Sequence, residues 1–381
     1  MHFAQPKLIA AAIQKTLRLA SIEDIATIRQ SVRNGTPIDF SKDGPAFASA
    51  FWERNFWKAI SFFGFEFVNP SILTQRRLIS DSSIDVTVLG AGSGADAVAC
   101  LCWLDEEFPL HRVTMTLIDQ YQEQLDLARN VITTAQRFLD QTNVDVRYSC
   151  QRLDQWTPQP VSTDIILMSH LLTENVMGKN ELIAKVSAAL RPRGDVILIE
   201  RERDPVWTAA RHEFAMNGIT THDVGLCDEK FRALVPTLAK TETDITPHFV
   251  RGSVPANKYL MNLVRGYFDA WVRQTSDPLP SIFTSDATYD EKPGIEPTLV
   301  GIDGIRRYWD KHPGLQRNID LTIHNVTYSD TVSVCSFSGR FDTPKQHIDI
   351  RGAINFYLDP YRGKIHRMDE YFGTIKSPLA E

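Results

Sequence analysis

Apolar positions across residues 1–80 recur at helical spacing. Ile9, Ile13 and Leu17 share one face, and the pattern resumes from Ile22 to Val32 behind Ser21, a side chain suited to capping a helix N-terminus. Between Phe47 and Phe63 the aromatic residues, Phe51, Trp52, Phe56, Trp57 and Phe62 among them, crowd every side of the expected helix. A helix that is apolar all round has two faces to bury. This one is expected to pack on a core and to offer its other face as a pocket wall, so residues 1–80 read as a helical N-terminal extension that caps a substrate site.

From Val86 the period switches. Short apolar runs at Asp85–Leu89, Arg112–Ile118, Val144–Tyr148, Asp164–Ser169 and Asp195–Glu200 predict strands. Amphipathic stretches at Ala95–Glu107, Tyr121–Asp140 and Lys179–Leu190 predict the helices between them. Such alternation is the signature of an α/β fold with a doubly wound, mostly parallel sheet. Arg191-Pro192-Arg193-Gly194 reads as the turn that ends the last helix and starts the next strand. Beyond it, Val206–Met216 and Glu229–Leu238 read as helices, while Pro247 and Pro255 interrupt the run.

A third pattern begins at Tyr259. Leu260, Leu263, Val264, Tyr267, Phe268 and Trp271 mark an amphipathic helix, followed by a helical turn near Pro280–Phe283 and a short helix at Gly304–Lys311. Alternating runs at Ile319–Tyr328, Thr331–Asp342, His347–Leu358 and Lys364–Thr374 then predict strands. Helices first and a curved antiparallel sheet after them make an α+β unit. The expected division is therefore 1–80, 81–256 and 257–381.

With 381 residues, 43% of them hydrophobic, the chain has the length for two domains with full cores. Its formal charge of -6 is spread without a basic stripe, which argues against nucleic acid or an acidic membrane surface as partner. Five cysteines, odd in number and without a CxxC pair, read as reduced thiols in a cytoplasmic setting. No apolar run reaches membrane-spanning length, and no His, Cys or carboxylate cluster has metal-ligand spacing, so neither a leader, an anchor nor a catalytic metal is expected.

Candidate chemistry concentrates in Gly90-Ala91-Gly92-Ser93-Gly94, between an expected strand and an expected helix. Glycines there allow a tight turn and close backbone approach to a ligand, and a helix N-terminus favours anionic or polar groups. Asp119, at the end of the next strand and 25 residues beyond Gly94, can accept hydrogen bonds from both hydroxyls of a ribose. A dinucleotide and S-adenosylmethionine both satisfy this pair of features. Capping of the helix that starts at Gln120 is a rival role for the same carboxylate.

Four ordered blocks, Val86–Gly94, Leu117–Asp119, Asp164–Glu174 and Leu190–Glu200, together resemble the class I S-adenosylmethionine-dependent methyltransferases. The segment Arg191–Gly194 is similar to that family's turn before the fifth strand and is not characteristic of dinucleotide dehydrogenases. The resemblance implies S-adenosylmethionine as cofactor, with its methionine end on Gly90, Ala91, Gly92 and Gly94 and its ribose on Asp119 and Gln120. It further implies adenine contacts along Gln151, Leu153 and Asp154, and a methyl-donor pocket beside Ser169 and His170. Two positions depart from the family. Val88 stands where a carboxylate often precedes the loop, and Asp85 points to the other face of its strand because side chains alternate. The methionine amino group is then left to backbone carbonyls, Ser169 or water. After the third strand, Asp154 or Gln151 must make the adenine contact that an acid often makes.

For the transfer itself, His170 is the first candidate to line the donor or act as base, with Glu174 and His212 behind it. The last unit, through Leu263–Trp271, Phe283–Tyr289, Gly301–Trp309 and Gly363–Phe372, resembles SnoaL-like members of the nuclear transport factor 2-like superfamily. That resemblance implies an α+β cone around an apolar pocket, used for catalysis in some members and for binding or dimerisation in others. Tyr289, His324, Arg351, Asp369 and Tyr371 are the candidates for a place inside it.

The expectation is methyl transfer to a small-molecule acceptor, at nitrogen or oxygen, in secondary metabolism, with the cone closing the site or forming a homodimer. Two other classes stay open. One is a bifunctional enzyme whose SnoaL-like domain catalyses cyclisation, isomerisation or dehydration; the other is a binding or scaffold protein with a degenerate donor site.

Overall fold

The computed structural model describes residues 4–17, 20–34, 36–63, 83–109, 111–140, 143–169, 171, 178–201, 205–224, 247–253, 256–291, 297–311, 315–328, 331–359 and 362–378. The chain divides into two units, 1–254 and 255–381. Among the described residues no helix is long and apolar enough to cross a membrane.

Three helices lead the first unit: α1 (Ala4–Thr16), α2 (Ile22–Asn34) and α3 (Phe40–Ser61). Ser21 and Asp24 cap α2 reciprocally. The Ser21 hydroxyl accepts from the Asp24 amide at 3.1 Å, and the Asp24 carboxylate accepts from the Ser21 amide at 3.3 Å. Asp39 starts α3 by accepting from the Ser41 amide at 3.2 Å.

A seven-stranded sheet follows, with β1 (Ser83–Leu89), α4 (Ala95–Glu107), β2 (Arg112–Asp119), α5 (Gln122–Gln136), β3 (Val144–Cys150), β4 (Thr163–Ser169) and α6 (Lys179–Ala189) in its first part. β5 (Leu190–Arg201), α7 (Pro205–Met216), β6 (Thr220–Val224) and β7 (Pro247–Ser253) complete it. The strand order is β3-β2-β1-β4-β5-β7-β6. β1 to β5 pair in parallel, whereas β7 runs antiparallel to both β5 and β6. The direction of winding reverses between β1 and β4, which opens the crevice where open α/β sheets hold ligands. Helix α3 packs its aromatic run on this layer: Trp52, Phe56, Trp57 and Phe63 are buried, and Phe63 stacks on Trp103 of α4 at 5.4 Å.

Two features differ from the hydropathy pattern. β5 begins at Leu190, ahead of the expected turn: Leu190 is already extended at φ -67° and ψ 135° and pairs with Thr163, after which the ladder resumes at Ile165 with Asp195, so Arg191–Gly194 bulge out unpaired as a turn within the strand, tight enough that a Cβ on Gly194 would stand 2.9 Å from the Arg191 carbonyl oxygen. Charge draws Arg191 into place. Its Nη1 lies 2.7 Å from Asp164, which is fully buried, and 2.9 Å from Asp85, so Asp85 is committed to this cluster. The second difference is β6 with β7. Pro247 opens β7 as its first residue, a position where the missing N–H is tolerated in a sheet. At Gly252, Ile219 and Val196 press to 2.7 Å from where a Cβ would stand, so the strand fits only without a side chain there. The expected helix at Glu229–Leu238 lies outside the described residues.

The second unit runs α8 (Ala256–Arg273), α9 (Leu279–Ile282), β8 (Phe283–Glu291), β9 (Leu299–Val300) and α10 (Ile302–Lys311), then β10 (Arg317–Tyr328), β11 (Val332–Asp342), β12 (Gln346–Asp359) and β13 (Lys364–Pro378). Its sheet has the order β10-β11-β12-β13-β8-β9, antiparallel except where β13 meets β8. Tyr267 of α8 is the hub of the core. Its ring lies between 5.3 and 6.3 Å from those of Phe268, Trp271, Phe283, Trp309 and Phe356.

Replacing Arg191 by Met strands the buried Asp164 charge and is expected to lower the unfolding free energy by about 3–5 kcal/mol in urea titration. Adding Asp85→Leu and Asp164→Leu should restore most of that loss. Equal losses in the single and triple variants would show that charge does not hold β5 in place.

Candidate functional site

The loop from β1 into α4 is built on left-handed backbone, with φ of 62° at Gly90, 49° at Gly92 and 82° at Gly94, a region that side chains resist. At Gly90 a Cβ would also stand 2.5 Å from Leu171 Cδ2. Around this loop the first unit forms a cavity of about 440 Å³. Gly90, Ala91, Gly92, Asp119, Gln120, Leu153, Asp154 and Ser169, all expected to bind cofactor, are brought together on its wall.

The remaining candidates fall elsewhere. Gly94 is off the lining; it is the N-cap of α4, and a Cβ there would meet Ala128 of α5 at 3.1 Å, so its role is helix packing. Gln151 is also off the lining and donates its amide to Ser149 Oγ at 2.8 Å. His212 is exposed on α7 and does not line the cavity, so the structure gives it no part in this site. His170 and Glu174 lie outside the described residues.

Asp119 is buried, and its two oxygens are already in use: Oδ2 accepts from the Gly92 amide at 2.8 Å and Oδ1 from the Tyr121 amide at 2.9 Å. An ionised carboxylate has about four acceptor positions. Holding the loop and the head of α5 therefore does not exhaust it, and the capping and ligand-binding roles are compatible. Burial raises its pKa against the pull of those amides. Asp154 differs: it is exposed, and Arg152 grips it through hydrogen bonds of 3.1 and 3.0 Å that hold its pKa low.

Several lining residues carry no signal in the sequence motif. Phe40 sets its ring 5.0 Å from Phe47 and 5.8 Å from Tyr121, so an aromatic wall runs from α3 to the head of α5. Asn55 of α3 also lines the cavity. Asp96 is the acid that motif reading missed. On α4, just behind the loop, it reads as an ordinary first-turn carboxylate favoured by the helix dipole. In the fold it lines the cavity, and burial pushes its carboxyl up to about 6 against the Ser169 hydroxyl and the Lys58 ammonium. Ser169 Oγ is close enough to lower that pKa, yet it meets hydrogen-bond geometry with no protein atom. Gln124 also lines the cavity, but its unpartnered Nε2 is packed against Gly44 of α3.

In the second unit the buried polar pair is Tyr289 and Glu370, with the phenol donating to Glu370 Oε2 at 2.6 Å. Burial, and then the Glu370 charge, raises the pKa of Tyr267 and Tyr289 well above the usual phenol value. The expected set is corrected here. Asp369 is buried but bonds to Arg367 at 2.9 Å through both oxygens, and its alternate neighbours Arg367 and Tyr371 are exposed. Strand alternation thus puts Asp369 on the outer face and Glu370 inside. His324 and Arg351 are exposed as well, His324 bonding Ser338 Oγ at 2.7 Å.

Residues 264–368 match the family model for the SnoaL-like domain. No curated protein matches the chain. Among solved structures, the epoxide hydrolase/cyclase-like enzyme SalBIII of pyran ring formation in salinomycin is 19% identical, over 31% of this chain and 92% of its own, at a TM-score of 0.28. An LEH-like epoxide hydrolase from M. tuberculosis is 14% identical over 30% of this chain and 84% of its own, at 0.27. The (4+2)-cyclase SpnF is 15% identical over 63% of this chain and 97% of its own, at 0.37. The chain thus combines an N-terminal unit built on a parallel sheet with a C-terminal SnoaL-like sheet domain.

With the Asp96 pKa raised from 3.8 to about 6, the folded protein keeps a proton that the unfolded chain loses across that window. The contribution of Asp96 to stability therefore falls as pH rises from 3.8 to about 6 and is level above. The melting-temperature difference, wild type minus Asp96→Asn, should fall across the same window. A difference that does not change with pH would mean an unshifted carboxyl.

Proposed function

We propose that the chain is a two-activity enzyme. Its SnoaL-like unit catalyses a cyclisation, isomerisation or dehydration, and its N-terminal unit transfers a methyl group from S-adenosylmethionine to a nitrogen or oxygen of a small molecule. The first activity rests on the family match over residues 264–368 together with the Glu370–Tyr289 pair. A carboxylate that takes a proton beside a carbonyl, and a phenol that donates to the oxygen on which charge develops, are what an enolisation-type step needs. Tyr289, its pKa raised, stays protonated at neutral pH, so it keeps the hydroxyl proton that it donates to Glu370 Oε2.

A specific observation supports the second activity: the cavity at the glycine loop has the donor set that an adenosyl sulfonium with an amino-acid tail requires. Asp119 keeps acceptor positions for ribose hydroxyls, Gly90 and Gly92 present backbone without side chains, and Leu153 and Phe40 offer apolar surface to a ring. Ser169 Oγ is a buried polar atom on the cavity wall that a ligand would satisfy. The cofactor, when bound, supplies an electrophilic methyl group. The chain orients the acceptor between the carboxyl edge of the sheet and α3, and the aromatic wall of Phe40, Phe47 and Tyr121 excludes water.

Each activity has its own test. Calorimetry should detect S-adenosylhomocysteine but not NAD, and Asp119→Ala, with its fold checked by circular dichroism, should weaken binding about tenfold or more. Binding of NAD in place of the homocysteine would overturn the cofactor assignment. For the SnoaL-like unit, α-proton exchange of β-ketoester probes in D2O, followed by NMR, should drop by about a hundredfold or more in Glu370→Gln. Exchange at the wild-type rate in that variant would remove Glu370 from the chemistry.

A further inference from the structure

We infer that Asp96 holds the ammonium group of the ligand's amino-acid end, doing from helix α4 what no acid on β1 does in this chain. The inference rests on the S-adenosylmethionine reading above and goes beyond it by naming the residue that accounts for Val88. Val88 is buried and off the cavity lining, and Asp85 is bound to Arg191. Among the described residues, the carboxylates that do line the cavity are Asp96, Asp119 and Asp154.

These three are not equivalent. Asp119 sits at the end of β2, tied to the amides of Gly92 and Tyr121, where a ribose would reach it. Asp154 is exposed and already paired with Arg152. Asp96 follows the glycine loop by two residues and lies beside Ser169 at the end of β4, where the connections leaving β1 and β4 open the crevice. Its surroundings suit a zwitterion. Asn55, on α3, lines the same cavity and supplies amide donors for a carboxylate. Lys58, one turn further along α3 and 4% exposed, keeps the subsite from holding a lone buried charge. The unpartnered Ser169 Oγ is a hydroxyl available to the same ligand group.

A carboxylate that is costly to ionise when the cavity is empty becomes favourable to ionise once an ammonium arrives. Binding should therefore expel a proton below pH 6. The groups that face Asp96 are Lys58 of α3, Ser169 of β4, which carries no charge, and Cys100, one turn on in α4, whose thiol pKa burial pushes far up.

Two probes isolate the subsite. S-adenosylhomocysteine carries the amino-acid end, whereas 5′-methylthioadenosine shares the adenosine and thioether but lacks it. In calorimetry on the full chain, Asp96→Asn is expected to weaken S-adenosylhomocysteine about tenfold or more and to leave 5′-methylthioadenosine within about twofold. Wild-type affinity for S-adenosylhomocysteine should rise with pH up to about 6 and then level, a dependence that Asp96→Asn abolishes and Asp96→Glu retains. Equal weakening of both ligands, or of neither, overturns the inference while leaving the cofactor reading intact. If the wild type binds neither ligand, the cofactor reading falls and the inference with it. Retained binding of 5′-methylthioadenosine by the variant also shows that it folds.

Discussion

The hydrogen bond from the Gly92 amide to the Asp119 carboxylate is the constraint on which the N-terminal site depends. Three left-handed glycines in five residues make a loop with little intrinsic preference for one shape. Asp119 removes that freedom by gripping the loop with one oxygen and the head of α5 with the other. With the loop fixed, the crevice at the carboxyl ends of the paired strands β1 and β4 has a defined edge, and Leu153, Ser169 and the aromatic wall from α3 acquire positions relative to it. The same carboxylate is thus both structural and available to a ligand, at the expense of its own desolvation.

Much of this was legible in the chain. Alternation of strand-length and helix-length apolar runs locates β1 through β4 and α4 through α6 closely, most plainly at β4, whose residues Thr163–Met168 are all buried and leave a continuous apolar signal. The glycine loop and Asp119 are legible for a related reason: their chemistry demands particular residues in a particular order. Failures occur where a tertiary contact outvotes local preference. β7 starts on a proline and needs a glycine in its middle, both of which argue against a strand when read locally.

The two acids on which the proposed chemistry rests were hidden for different reasons. Asp96 is inconspicuous because a carboxylate in the first turn of a helix is ordinary; only the fold shows that Lys58 and Ser169 converge on it from α3 and β4. Glu370 lies one residue from Asp369, the member of the pair expected inside. On a strand, one position is the whole difference between interior and exterior. The hydrogen bond to Tyr289 on β8 and the ion pair from Arg367 settle which is which.

The sheet order of the second unit bears on how that unit comes into being. β13 is the last of its six strands in the chain, yet it is laid between β12 and β8. Until Lys364–Pro378 has left the ribosome, the sheet exists only as two separate pieces, β8 with β9 and β10 through β12. Glu370 arrives on that same strand, so the acid and the closure of the sheet appear in one event. Synthesis alone therefore delivers a protein whose first unit can fold long before its second, and in the interval the waiting strands expose apolar faces and unpaired edges.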